Sequence, residues 1–270
     1  MRSKISGILV AFTAIALLAA SCKKKDDPAP GPGNGNNNTN NNTTSFGEVG
    51  FEFTNYAGNN QLAINTDTYV TPANDSFIVT RFNYYISNIH IVKSDGTEYI
   101  EPESYHLVQH NLASSKHFHL ANVPAGTYTA VSFLIGVDSA RNESGAQTGA
   151  LDPVNGMFWT WNTGYIMAKL EGISPQSMGS GKSFTYHIGG YKGQFTAVRK
   201  VTLTFSEPMK LTANSEGTLA IKADVLKWFS PNNISIAANY QVMSADAISH
   251  RIADNYANMF TLTNVLVSIP

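Results

Sequence analysis

Apolar and polar residues alternate along most of the chain beyond Phe46. Residues 201–205 read VTLTF, and residues 131–135 read VSFLI with Val131, Phe133 and Ile135 on one face. A period of two marks strands with one buried face. Turn sequences lie between them: SDGT at 94–97, VPAG at 123–126 and SGAQTG at 144–149. Many short strands with such turns predict an all-β domain, an antiparallel β-sandwich. In the run FIVTRFNYYISNIHIV, residues 77–92, Ile78, Phe82, Tyr84 and Ile86 share one parity, whereas Ile89 and Ile91 take the other. A strand changes faces only through an irregularity, so a bulge or bend is expected near Ser87–Asn88. One segment departs from this period. Residues 244–260, SADAISHRIADNYANMF, repeat Ile248, Ile252 and Tyr256 at four-residue spacing behind Ser244 or Asp246 as cap. They predict one C-terminal α-helix.

The first 45 residues follow neither pattern. Arg2 and Lys4 precede an apolar run, ILVAFTAIALLAA, which ends at Ser21 and Cys22. That order is a secretory signal, and a cysteine just after small residues resembles a bacterial lipoprotein signal in which Cys22 becomes the lipidated N-terminus. Residues 1–22 are therefore expected to be removed up to Cys22. Residues 23–45, KKKDDPAPGPGNGNNNTNNNTTS, have almost nothing to bury and are expected to form a disordered tether, roughly 80 Å long at full extension. CKKKDD also resembles the export signal that sends lipoproteins of the Bacteroidetes to the outer surface of the outer membrane. Residues 46–270 form the folded domain. Cys22 is the only cysteine, so this domain rests on its core, without disulfides.

Charge excludes more than it suggests. With 18 basic and 19 acidic residues the net charge is −1, and no basic stripe points to nucleic acid. No Gly-x-Ser-x-Gly, P-loop or His-Glu-x-x-His occurs, and the mature chain has no cysteine nucleophile. The sequence reads as a binding protein and not as an enzyme.

Chemistry concentrates at residues 151–172, LDPVNGMFWTWNTGYIMAKLEG, which hold two of the three tryptophans. In an extended chain Trp159 and Trp161 point to the same side. Such a pair serves as core packing, as a carbohydrate platform, or as a site of chemistry on tryptophan itself.

The stretch GALDPVNGMFWTWNTGYIMAKLEG resembles the signature of the MbnP-like copper-binding proteins. RFNYYISNIHIV at 81–92, GTYTAVSFLIGVDSARN at 126–142 and FTYHIGGY at 184–191 agree with it in order, and the similarity covers most of residues 46–265. The resemblance implies a β-sandwich that binds copper for uptake or storage. It further implies a partner, a di-haem peroxidase of the MauG type, that oxidises Trp159 or Trp161 to kynurenine, whose nitrogen then joins histidines at the copper. It points to His106, in YHLVQH, as one ligand, and puts Asn55 where a second histidine is wanted. From its place before Gly189 and Gly190, His187 is expected at a strand end where sites are built, and is the other candidate ligand. Nitrogen donors without thiolate suit copper or zinc. His117 and His119 form a His-x-His pair that can chelate a metal or simply face solvent, while His90 and His250 are expected to be inert. The rival reading is a surface lipoprotein that binds a glycan or a partner protein, with the tryptophans as scaffold.

Overall fold

The computed structural model describes residues 44–161 and 164–269. Cys22, the signal and nearly all of the tether lie outside them. Among the described residues, fourteen strands form two sheets. In chain order they are β1 (Phe46–Ala57), β2 (Asn60–Gln61), β3 (Thr68–Val70), β4 (Ser76–Lys93), β5 (Glu98–Ile100), β6 (Tyr105–Gln109), β7 (His117–Pro124), β8 (Gly126–Ile135), β9 (Ile166–Ile173), β10 (Ser183–Gly189), β11 (Arg199–Leu211), β12 (Glu216–Asp224), β13 (Gln241–Val242) and β14 (Phe260–Ser268). A short helix, α1 (Ser139–Glu143), precedes β9, and α2 (Ala247–Tyr256) precedes β14. The five-stranded sheet is ordered β14-β12-β1-β2, with β7 also on β1; the nine-stranded sheet is ordered β11-β8-β4-β9-β10-β13, with β3, β5 and β6 also on β4.

The two sheets face one another through aromatic residues. Phe53 of β1 meets Tyr84 of β4 at 6.1 Å and Phe133 of β8 at 6.5 Å between ring centroids. Phe260 closes on Phe53, Tyr84 and Phe133 together. Buried side chains of this size contribute about 1.5–3 kcal/mol each, which supplies the core that the absent disulfides do not. Val131, Phe133 and Ile135 are all buried on one face, as the alternation requires.

The sandwich is not wholly antiparallel. β1 pairs with β12, and β10 with β13, in parallel. A parallel pair needs a long connection, and the chain between β1 and β12 supplies one. Face slippage in β4 occurs twice. The register shifts between Ser87 and His90, where Asn88 adopts φ 51°, as expected. A second shift, between Val79 and Arg81, turns Phe77 and Val79 to the core ahead of Phe82, so Ile78 does not share the face of Phe82. The C-terminal helix is shorter than the periodic stretch. Asp246 caps it and forms a capping box with Ser249. The residues after it form β14 on the edge of the five-stranded sheet.

One feature of the topology positions the site. β8 and β9 both pair with β4 antiparallel, β8 along Ile86–Lys93 and β9 along Ile78–Tyr84. Since β6 occupies the other edge of β4 at Asn83–Ser87, β8 and β9 must lie end to end on one edge. After Ile135 the chain leaves the sheet at the fork between them, and both tryptophans precede its return at Ile166.

Candidate metal and tryptophan site

The tryptophan segment folds across the face of the nine-stranded sheet that is turned away from its partner sheet. Two side chains on that outer face hold it down. Tyr85 donates its hydroxyl to the Ala150 carbonyl (3.1 Å), and Lys169 donates Nζ to the Gly156 carbonyl (2.5 Å). From there the chain makes a narrow hairpin: Ile166 N–H donates to Met157 O, and Trp159 N–H to Gly164 O. Asn142 of α1 accepts from Tyr165 N–H, and the Tyr165 hydroxyl donates to Leu151 O. Met157 and Tyr165 are fully buried beneath.

The tryptophans at the hairpin end touch, with ring centroids 5.4 Å apart, but they are not equivalent. Trp159 is 4% exposed and Trp161 63%. Trp159 lies on Gly189: a Cβ there would stand 2.4 Å from Cζ3 and 2.5 Å from Cη2 of its indole. The glycine of the HIGGY stretch is thus a close-approach position for tryptophan.

His187 sits two residues before Gly189 on β10, with Tyr186 and Ile188 buried on the opposite face. Alternation therefore gives His187 the same face as Trp159. Its Nε2 meets Glu171 Oε1 at 2.7 Å, and Nδ1 has no hydrogen-bond partner among the described residues. Glu171 also faces Arg81 at 3.6 Å. The hydrogen bond from His187 is the main cause that holds the Glu171 carboxyl below its usual range. The cross-strand row Gln109–Asn83–Lys169–His187 runs over this outer face. Burial lowers the pKa of Lys169, which lies beneath the hairpin.

His106 is elsewhere. It pairs in register with Ile86, stacks on Phe118 of β7 with ring centroids 3.7 Å apart, and meets Glu101 through Nε2 at 3.0 Å. It closes an edge between the two sheets, on the inner face of the nine-stranded sheet. His106 and His187 thus lie on opposite faces of one sheet and cannot ligate one ion.

Asn55 does point inward, in line with Phe51 and Phe53, and it meets His110. The Asn55 amide nitrogen lies 3.1 Å from His110 Nδ1, and its oxygen accepts the Tyr84 hydroxyl at 2.9 Å. His110 is four residues beyond His106, about 13 Å along an extended strand. Burial lowers the pKa of His110, and Lys116 adds to the effect. Reading the sequence did not single out His110 or Lys169. His110 shares strand parity with His106, which was a usable signal; nothing in the sequence marked Lys169 as buried.

The remaining histidines divide. His90 is partly exposed against Glu98. His250, expected to be inert, lies against the Thr196 carbonyl and Arg199. His117 and His119 stand side by side with ring centroids 4.5 Å apart.

Among the described residues, no three His, Cys, Asp or Glu side chains already surround a common point. The outer-face set suits copper in kind, with one imidazole and its supporting carboxylate, and falls short in number without a further nitrogen from the tryptophan hairpin. The inner set offers one imidazole that already engages an amide.

A two-sheet sandwich with a tryptophan hairpin at the fork of its larger sheet is the class this architecture defines. The family model for MbnP matches residues 46–244, and the chain belongs to that family. Its fold is similar to that of MbnP from Methylosinus trichosporium, with a TM-score of 0.50 at 14% sequence identity, over 74% of this chain and 81% of that one. No curated protein sequence matches.

Proposed function

We propose that this protein is a lipid-anchored envelope protein that binds copper for uptake or storage on the outer face of its nine-stranded sheet. His187 is the imidazole ligand. Trp159 or Trp161, oxidised to kynurenine by a di-haem peroxidase partner with peroxide as oxidant and the indole C2 released as formate, supplies the nitrogen that the unmodified chain lacks. The observation that supports this reading is the seating of Trp159 on Gly189, one same-face step from His187. The His187–Glu171 contact adds to it, because ligating histidines commonly donate their second N–H to a carboxylate. Copper bound there is cargo, and no catalytic step is assigned.

Copper titration by equilibrium dialysis tests the reading. His187→Ala should weaken binding in the peroxidase-treated protein, whereas His106→Ala should not. Equal affinity in parent and His187→Ala sinks it. Mass analysis of the peptide spanning both tryptophans, with and without the peroxidase, tests the modification. Cys22→Ser should abolish lipid attachment; a variant that still pellets with membranes after a carbonate wash contradicts the anchor.

The exposure of Trp161 favours a second reading, an aromatic platform for a glycan or a partner protein. Under it, Trp161→Ala loses glycan or partner retention and copper is irrelevant.

A further inference from the structure

The five-stranded sheet carries two histidines and a carboxylate together on its own outer face. His117 and His119 alternate with buried or half-buried Phe118 and Leu120 on β7, so both imidazoles face outward, and their rings lie 4.5 Å apart. Across the sheet, Glu216 of β12 reaches His119, with Oε1 3.2 Å from Nδ1. These residues belong to strands on opposite edges of β1, and the strand between them carries no side chain at the crossing. His119 pairs in register with Gly50, and a Cβ on Gly50 would stand 3.2 Å from Glu216 Oε1 and 3.3 Å from the His119 ring. Gly50 keeps the lane between histidine and carboxylate open. Glu48 is the register partner of Glu216, and Glu52 that of His117. Like charges side by side on adjacent strands destabilise the sheet, and a cation between them offsets this.

We propose that His117, His119 and Glu216 form a surface site for one borderline divalent cation of the zinc, nickel and copper(II) class. Two imidazoles and a carboxylate are the donor types that this class prefers. The histidines stand together already, and Glu216 completes the set by rotating an exposed side chain. The sandwich separates this site from His187, and it needs no modified tryptophan.

Zinc alone is the probe. The full mature chain is titrated with Zn(II) against a chromophoric chelator, beside His117→Ala, His119→Ala, the double variant, Glu216→Gln and His187→Ala. Circular dichroism verifies that each variant is folded, which the exposure of the three ligands favours. One zinc should bind the parent and His187→Ala equally. Each single histidine variant should lose about tenfold or more, by comparison with the 10–100-fold effect of weaker outer-shell contacts, and the double variant should not bind. Unchanged zinc affinity in the double variant overturns the proposal, as does loss of zinc in His187→Ala. Copper loss at His187 with zinc retained at His119 separates the two sites, and failure of either leaves the other standing.

Discussion

Asn55 and His110 meet side chain to side chain inside the sandwich, with 3.1 Å between Nδ2 and Nδ1, and Tyr84 completes the contact by donating to Asn55 Oδ1. Burial keeps Tyr84 protonated by raising its pKa well above the ordinary value, so it stays a donor. Asn55→Ala leaves that hydroxyl without an acceptor. A buried donor left unsatisfied costs about 1–3 kcal/mol, and urea unfolding of the variant should show a loss of that size. Tyr84→Phe combined with Asn55→Ala should cost less than the sum of the two single changes.

The same contact predicts how copper binding can be introduced. Asn55→His places a second imidazole opposite His110, and two facing nitrogens suit Cu(I). The Cu(I) affinity gained in Asn55→His should persist when His106→Ala is added and be lost when His110→Ala is added. Dependence on His106 instead would mean that the first strand faces a different ligand from the one its side chain now touches.

His110 also predicts a pH dependence. Its folded pKa lies below the ordinary 6.5, chiefly because burial disfavours the charged ring. Below pH 6.5 the unfolded chain takes up the proton first, so stability falls as pH drops from there toward the folded pKa. Chemical denaturation between pH 7.5 and 5 should show this decline, and His110→Gln should flatten it. An equal slope in both proteins would assign the effect to other groups.

Much of this was legible in the sequence because strand periodicity reports burial directly. The alternation of Val131, Phe133 and Ile135 and the parity change in β4 became the core face and the bulge at Asn88. Periodicity does not report which strand lies beside which. The parallel pairing of β1 with β12 was therefore not foreseen, nor the division of one β4 edge between β8 and β9. The histidines show the same limit. His106 and His110 have equal parity, and only the register of β4 with β6 places His110 at Asn55. The glycines that follow His187 mark its place near a strand end, but its face follows from pairing with Lys169. Lys169 itself is hidden by the hairpin, which no local pattern foretells.

Gly189→Ala should disturb the hairpin. The added Cβ falls 2.4 Å from the Trp159 ring, too close for any real contact. Overpacking of this kind costs about 1–3 kcal/mol. The variant should unfold at lower urea, and its tryptophan emission should shift to the red as Trp159 gains contact with water. Unchanged emission together with unchanged stability would show that the hairpin absorbs the methyl group by moving as a unit.

Glu171 provides the sharpest test of the outer-face site because its effect on copper acts through His187. Its carboxylate holds His187 Nε2, which fixes the tautomer that presents Nδ1 as a lone pair. Glu171→Gln keeps the size of the side chain and removes the charge, so copper affinity should fall about 10–100-fold in the tryptophan-oxidised protein. Glu101→Gln makes the same change beside His106 and should leave copper unaffected. Glu171→Gln also has a signature in the absence of metal. The Glu171 carboxyl titrates below its ordinary 4.5, so it contributes stability above that pH which is lost as pH falls toward the folded pKa. The variant should lack this acid-side loss. A copper deficit with the acid-side loss intact would point away from the His187–Glu171 contact, and the acid-side change without a copper deficit would leave that contact as structural support for β9 and β10 alone.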